Sequence, residues 1–209
     1  GRKGGEPVPL PVQLGDVYGG SMMALSGILM ALLSRQRTGK GVWLDVSMTD
    51  GSIASLSIPA SAWLGAGVPQ ERGELPLTGM FPCYGTYRCA CGGYVSLGAL
   101  EPWFWENLVS RLGRADLAGG QYAAGDGAGS VRRELEAIFA GKSRDEWVRF
   151  FEGVDVCISP VLSLEEALRH PNAAARRMVV DVESPLGGTD PQIGLPVKTV
   201  GEAERVPLR

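Results

Sequence analysis

Histidine is almost missing from this chain of 209 residues, in which His170 is the single example. A mechanism that takes two histidines from the chain is therefore excluded, and so is a histidine-rich metal site. Cysteine is also scarce, and Cys83, Cys89 and Cys91 lack the paired spacing of a zinc site. The sequence predicts free thiols in a reducing compartment, no bound metal ion and no resident cofactor.

A strong excess of charge of either sign is missing as well. The formal net charge is −3, so the composition does not favour nucleic acid or an anionic membrane as a partner. The longest apolar run, residues 22–33, is shorter than the roughly 18 residues that a membrane span needs. Residues 1–7 contain no apolar stretch typical of a signal peptide. We expect a cytoplasmic protein without a membrane segment.

The composition that remains is that of a folded protein. Apolar residues make up 44% of the chain and charged residues 21%, which is too apolar for intrinsic disorder. The 30 glycines and 14 prolines predict many turns. At about 150 residues per domain, the length allows one large domain or two small ones.

The first third of the chain has the pattern of an α/β layer. A helix is predicted from Asp16, as its N-cap, to Arg37. Alternating apolar residues predict a strand over 42–48, and a second helix is predicted to begin near Ser47. Because helices and strands alternate here, we interpret residues 1–66 as the C-terminal part of a large α/β domain.

The remainder predicts a different unit. Residues 67–82 are rich in proline and glycine and are interpreted as a linker. A small α+β domain is predicted over residues 83–178, followed by a tail, 179–209, that returns toward the large domain. The predicted elements of the small domain are a hairpin of strands 86–89 and 94–97, a helix from Pro102, a loop over 117–129, a helix over 131–140, helices with capping boxes at Ser143 and Ser163, and a strand over 154–158.

Two single residues receive structural interpretations. Cys157 lies in the apolar strand pattern and is predicted to belong to the core. His170 precedes a proline at a predicted helix end, where an imidazolium would compensate the helix dipole at the surface.

Two acids are candidates for chemistry. Asp16 is flanked by Gly15 and by Gly19 and Gly20, and glycines let a ligand approach the backbone closely. Glu101 lies between a predicted strand and a predicted helix, a place where functional side chains are exposed. The pattern alone leaves both open as ordinary carboxylates that stabilise helix N-termini.

Several motifs together resemble the superfamily of family III CoA-transferases and α-methylacyl-CoA racemases, also called CaiB/BaiF proteins. The motifs are LGDVYGG at 14–20, TGKG at 38–41, VSMTDG at 46–51, YGTYRC at 84–89, GALEP at 98–102 and CISPV at 157–161. The resemblance implies a large Rossmann-like α/β domain and a small α+β domain. It also implies a homodimer of interlocked subunits, with acyl-CoA bound between the large domain of one subunit and the small domain of the other.

The resemblance assigns roles to particular residues. Asp16 matches the catalytic aspartate, and Glu101 matches a glutamate that racemase-type members place in the same cleft. Tyr84 falls where such members line the acyl pocket, and Gly19 and Gly20 would allow the substrate close approach. CoA enters only as part of the substrate.

Three functions follow from these roles. The Glu101-Pro102 pair favours racemisation of a 2-methylacyl-CoA, in which a base removes and another base returns the α-proton. The alternative is a CoA-transferase in which Asp16 is the nucleophile. The third is an inactive fragment or non-catalytic subunit, because the family's catalytic histidine lies upstream of the aspartate and His170 does not match its motif.

Overall fold

The computed structural model describes residues 3–198 and has mixed α/β structure. Its first helical element is a π-helix, Leu14–Met22, that continues directly into an α-helix. The α-helices are α1 (Met23–Thr38), α2 (Met48–Ala54), α3 (Ser57–Ala66), α4 (Pro102–Leu112), α5 (Gly125–Phe139), α6 (Arg144–Phe150), α7 (Leu164–Arg169) and α8 (Pro171–Ala175). The strands are β1 (Tyr84–Arg88), β2 (Tyr94–Gly98), β3 (Ile158–Pro160), β4 (Val179–Glu183) and β5 (Thr189–Ile193).

The predicted N-cap role of Asp16 is wrong. The N-cap is Gln13, whose carbonyl accepts a hydrogen bond of 2.9 Å from the Val17 N–H. Asp16 therefore lies inside the first helical turn, where its negative charge still interacts favourably with the positive end of the helix. The second predicted helix is confirmed at its start, since the Ser47 side chain accepts a bond of 3.3 Å from the Asp50 N–H. It is divided into α2 and α3.

The strand predicted over residues 42–48 is not formed. Residues 41–47 have no regular secondary structure, and Met48 is the first residue of α2. The apolar side chains that predicted the strand, Val42, Leu44 and Val46, are all exposed. A strand requires a neighbour for its backbone hydrogen bonds, and no strand in residues 3–198 lies beside this segment.

The hydrophobic core lies in the part of the chain that was predicted to be the small domain, residues 83–178. In the part of the chain that the structure describes, the fully buried apolar side chains all lie between Pro82 and Val156. Strands β1, β2 and β3 form an antiparallel sheet in that order, and one face of it carries Tyr87, Val95 and Leu97 into the core. Helices α4, α5 and α6 contribute further buried residues, among them Trp105, Leu135 and Trp147.

Most local predictions for this unit are confirmed. The hairpin, the helix that begins at Pro102 and both capping boxes are present. Part of the predicted loop over 117–129 is helical instead: Ala115–Gly120 is a 3-10 helix and α5 begins at Gly125. The predicted strand over 154–158 is displaced to Ile158–Pro160.

Of the two residues with structural interpretations, Cys157 differs from the prediction, whereas His170 lies where it was predicted. Cys157 is exposed and has a φ of 49°, because the chain turns sharply there before β3. His170 caps α8: its Nδ1 accepts a hydrogen bond of 3.2 Å from the Asn172 N–H. His170 is also the exposed C-cap residue of α7, so its predicted place at the surface at a helix end is confirmed.

Residues 14–66 are rich in apolar side chains, and most of these side chains are exposed in the described chain. The π-helix and α1 form one continuous helix, Leu14–Thr38, of 25 residues, and its most apolar 18-residue window has a mean hydropathy of 1.6. This helix is long and apolar enough to cross a membrane. The prediction that the apolar segment is too short for a membrane span, which was based on residues 22–33, is therefore wrong. Core helices of soluble proteins have the same length and composition. Only 6% of its most apolar window is buried within the described chain.

The predicted domain boundaries stay a prediction. Within residues 3–198, no hydrogen bond or ion pair joins residues 8–66 to residues 83–178. Residues of the predicted linker make the connections to the start of the chain: Glu74 pairs with Lys3 at 2.5 Å, and the Arg72 guanidinium donates to the Gly5 carbonyl at 2.8 Å.

Candidate active site

Asp16 is an exposed carboxylate in the π-helix. Its backbone carbonyl accepts a hydrogen bond of 3.0 Å from the Ser21 hydroxyl. A π-helix is wider than an α-helix, leaves some backbone groups without their usual partners, and occurs often at functional sites. The structure thus places this acid where its side chain is accessible and its backbone departs from regular helix.

Glycines hold this π-helix tightly against α2. A Cβ placed on Gly19 would lie 2.7 Å from the Met48 carbonyl oxygen, and one on Gly20 would lie 3.1 Å from Met48 Cγ. Gly19 is buried and Gly20 is half-buried. Both glycines have a packing role in the structure, and their predicted role in substrate approach stays a prediction.

Glu101 lies at the junction between β2 and α4, as predicted. It is the N-cap residue of α4, with φ −74° and ψ 142°, but its side chain makes no capping hydrogen bond. Its carboxylate is exposed and has no ion-pair partner among residues 3–198. The side chain is therefore available for another task, and the alternative of a carboxylate that interacts only with the dipole of α4 stays open.

Tyr84 lies on the outer face of the sheet and lines an open cavity of about 1290 Å³. The cavity is lined by polar and aromatic side chains of the strands, among them Thr86, Arg88, Tyr94 and Ser96. Tyr84 is paired with Gly98 in the β1–β2 register, so its ring lies at the same end of the sheet as the turn that carries Glu101.

The structure brings these predicted residues together only in part. Tyr84 and the Glu101 turn share one end of the sheet, but Glu101 does not line the Tyr84 cavity. Asp16 does not line it either, and its π-helix packs against α2. Within the described chain, Asp16 lies in the part that contains α1 and α2, and Glu101 lies in the part that contains the β1–β2–β3 sheet.

Arg132 is a residue near Tyr84 that the sequence analysis missed. This side chain of α5 donates hydrogen bonds to the carbonyls of Gly79, at 2.8 Å, and Phe81, at 3.0 Å. The Tyr84 N–H donates to the same Phe81 carbonyl at 3.2 Å. Arg132 thereby fixes the segment that leads into β1, and no local pattern links residues so distant in sequence.

Further electrostatic features lie at the edge of the small unit. The Arg144 backbone N–H donates to Cys91 Sγ at 3.4 Å, and this bond lowers the pKa of the thiol. The Arg144 guanidinium binds the Glu166 carboxylate at 2.7 Å and lowers its pKa to about 2.

Burial raises the pKa of Cys83 to about 11. In residues 3–198, no three His, Cys, Asp or Glu side chains are grouped to hold a metal ion.

Comparison with known proteins gives a consistent family. The chain is 35% identical to α-methylacyl-CoA racemase of Homo sapiens over 189 residues, which is 88% of this chain and 48% of that protein. It is 30% identical to succinyl-CoA:mesaconate CoA-transferase of Haloarcula hispanica over 205 residues, which is 95% of this chain and 50% of that protein. The chain thus spans about half the length of the curated relatives it matches.

The fold is similar to that of solved CaiB/BaiF proteins. The structure of a family protein from Brucella suis matches with a TM-score of 0.71 and 24% identity, over 95% of this chain and 52% of that one. The family model of CoA-transferase family III matches residues 1–209. On this match and these relatives, the chain belongs to CoA-transferase family III, the enzyme superfamily that also includes the α-methylacyl-CoA racemases.

Proposed function

We propose that this chain serves the racemisation or epimerisation of a 2-methylacyl-CoA through an enolate. The observation that carries the proposal is the Glu101 carboxylate, which is held at the end of β2 and takes no part in capping α4. The greater identity to the human racemase, 35%, than to the Haloarcula transferase, 30%, supports the same choice.

The chemistry requires two bases around one carbon. The α-proton beside a thioester is weakly acidic, so the base must already be positioned and the enolate stabilised. Asp16 takes the α-proton on one face, and the C–H electron pair becomes part of the enolate. A second base on the opposite face, which Glu101 supports, returns a proton to the same carbon and inverts it.

The proposal includes the wider arrangement that the family resemblance implies. Residues 1–66 are part of a Rossmann-like large domain, and a homodimer of interlocked subunits brings Asp16 of one subunit near Glu101 of the other in the cytoplasm. The absence of hydrogen bonds between residues 8–66 and 83–178 in the described chain supports a site that is completed between subunits.

Solvent exchange tests this function. The full-length protein that carries this chain is incubated with a 2-methylacyl-CoA in deuterium oxide, and we expect deuterium at the α-carbon. Asp16→Asn should abolish the exchange, whereas Asp126→Asn, at another exposed acid in a first helical turn, should not. Acyl transfer to free acids without α-exchange would reject the racemase function.

CoA transfer is the second candidate, favoured by the match to the CoA-transferase family model along the chain. In this reaction an Asp16 carboxylate oxygen attacks the thioester carbonyl and displaces CoA thiolate, leaving a mixed anhydride. The thiolate then attacks the Asp16 carbonyl, which releases the acyl group as a carboxylate and leaves an aspartyl-CoA thioester. Hydroxylamine should trap this adduct on Asp16 in the presence of an acyl-CoA donor and a carboxylate acceptor.

A non-catalytic role gives a third outcome for both assays. If the full-length protein shows neither α-exchange nor a hydroxylamine-sensitive adduct, both enzymatic candidates fail and the chain is a binding subunit.

A further inference from the structure

A buried amide lies behind the turn that carries Glu101. Gln121 is only 8% exposed and is the one polar or charged residue that is buried in the part of the chain described by the structure. It follows the 3-10 helix Ala115–Gly120 directly. Burial of an amide is unfavourable unless its polar atoms are hydrogen-bonded, so its partners indicate why it is there.

The partners of Gln121 are the two carbonyls that precede Glu101. Its Nε2 donates hydrogen bonds of 3.0 Å to the carbonyl oxygens of Ala99 and Leu100. The Tyr122 hydroxyl donates a further hydrogen bond to the Leu100 carbonyl. One amide group therefore uses both of its N–H donors on adjacent carbonyls.

Gln121 itself is held firmly. The Trp105 indole N–H of α4 donates to the carbonyls of Leu117, at 3.1 Å, and Ala118, at 3.0 Å. At the end of the same 3-10 helix, a Cβ on Gly120 would lie 2.8 Å from Val131 Cγ2 of α5. The helix before Gln121 is thus fixed to both α4 and α5, which holds the Gln121 backbone beside the turn.

These contacts determine the orientation of Glu101. The Leu100 carbonyl and the Glu101 N–H belong to one planar peptide unit, so holding the carbonyl oxygen also fixes the Glu101 nitrogen. On the other side, Pro102 restricts Glu101 to extended backbone, in agreement with its ψ of 142°. The direction in which the Glu101 side chain leaves the backbone is set from both sides.

We infer that Gln121 is a positioning residue for Glu101. The inference rests on the proposed function, in which Glu101 supports a base beside the acyl-CoA α-carbon. Small displacements of a positioned group lower the rate of a proton transfer without weakening substrate binding to the same degree. Gln121 acts through the backbone of residues 99–101 and does not itself touch the substrate.

The experiment replaces Gln121 by an apolar side chain of similar length. In the full-length protein, Gln121→Met should lower kcat of α-proton exchange by roughly 10- to 100-fold and leave KM nearly unchanged. The matched control is Asn107→Leu, which removes another amide-to-carbonyl hydrogen bond of α4, 2.9 Å to Asp155. That variant should keep the wild-type kcat.

A double-mutant comparison separates positioning from a general structural effect. In a Glu101→Gln background, Gln121→Met should lower kcat by less than about 2-fold further, because the group that it positions is already lost. If the two losses multiply, Gln121 acts independently of Glu101 and the inference is overturned. If Glu101→Gln alone leaves exchange unchanged, the proposed role of Glu101 fails instead.

A readout that does not depend on activity tests the positioning directly. The backbone amide resonance of Glu101 should shift in Gln121→Met and remain in place in Asn107→Leu. An unchanged Glu101 resonance in folded Gln121→Met would overturn the inference whatever the kinetics. If Gln121→Met does not fold, Tyr122→Phe removes only the hydroxyl of a half-exposed side chain and should shift the same resonance. An unchanged resonance in that variant would then overturn the inference.

Discussion

Gly51 of α2 lies against Gly19 of the π-helix so closely that a Cβ on Gly51 would be 2.3 Å from the Gly19 carbonyl oxygen and 2.4 Å from its Cα. No side chain can be accommodated at that distance, so the two backbones pack directly on each other. This contact fixes the turn that carries Asp16.

Gly51→Ala should therefore destabilise the packing of α2 against the π-helix that carries Asp16. We expect a loss of about 1–3 kcal/mol in the free energy of unfolding, because the added methyl group forces the helices apart. Thermal and urea unfolding followed by circular dichroism measures it. The control is Gly65→Ala in α3, where a Cβ meets no atom within 4 Å. That change should stabilise the helix by about 0.5–1 kcal/mol, and the same gain at Gly51 would contradict the packing argument.

On the proposed function, in which Tyr84 lines the acyl pocket, Arg132→Gln should weaken substrate binding in the full-length protein. The variant loses the paired donation to the Gly79 and Phe81 carbonyls and loosens the segment that positions Tyr84. We expect KM for the acyl-CoA to rise by roughly 3- to 10-fold with kcat nearly constant, as for a loss of uniform binding. Arg133→Gln, at the exposed neighbour on α5, should leave KM unchanged. An equal rise in KM in both variants would show that the loss of a positive charge, and not the loss of the Arg132 hydrogen bonds, weakens binding.

Removal of the Glu166 charge should alter how the free energy of unfolding depends on pH in the acid range. Because the Arg144 guanidinium lowers the folded-state pKa of Glu166 to about 2 from 4.5, the pair stabilises the fold fully above pH 4.5. That contribution is lost as the pH falls from 4.5 through about 2. Glu166→Gln keeps the capping box and should lower the urea midpoint at neutral pH, with the difference from wild type vanishing across this interval.

A matched variant distinguishes this pair from an ordinary surface pair. Glu165→Gln removes an i,i+4 ion pair with Arg169 in which both side chains are largely exposed. Its effect on the urea midpoint at neutral pH should be small. Equal effects of the two variants would show that the Arg144 contact adds nothing beyond a surface charge.

Cys91 should be the most reactive thiol. Its pKa is lowered by the backbone hydrogen bond from Arg144, and its side chain is exposed, so more of it is thiolate at neutral pH. Cys83 is buried and its pKa is about 11, so it should react last. Mass spectrometry of iodoacetamide-treated protein over a pH series measures both rates, with exposed Cys157 as the accessible comparison. Slower labelling of Cys91 than of Cys157 at neutral pH would contradict the assignment.

The features that sequence predicted well are those fixed by neighbouring residues. The Ser143 capping box and the hairpin of β1 and β2 depend on residues only a few positions apart, and both are present. Glu101 was placed correctly at the strand-to-helix junction for the same reason.

The features that sequence missed depend on distant partners. Residues 41–47 have the alternation of a strand but no neighbour in the described chain with which to pair. Gln121 lies 21 residues from Leu100, and nothing in the local pattern indicates that its amide binds that carbonyl. The positive φ of Cys157 likewise reflects the path of the chain into β3, where composition predicted a core strand.

The concentration of buried side chains between Pro82 and Val156 has a consequence for how the molecule responds to heat. A chain with its apolar interior in one unit melts in stages, because the less well covered helices have the lower local stability. From the contacts within residues 3–198, we expect the helix of Asp16 to lose its structure at a lower temperature than the aromatic core around Trp105 and Trp147.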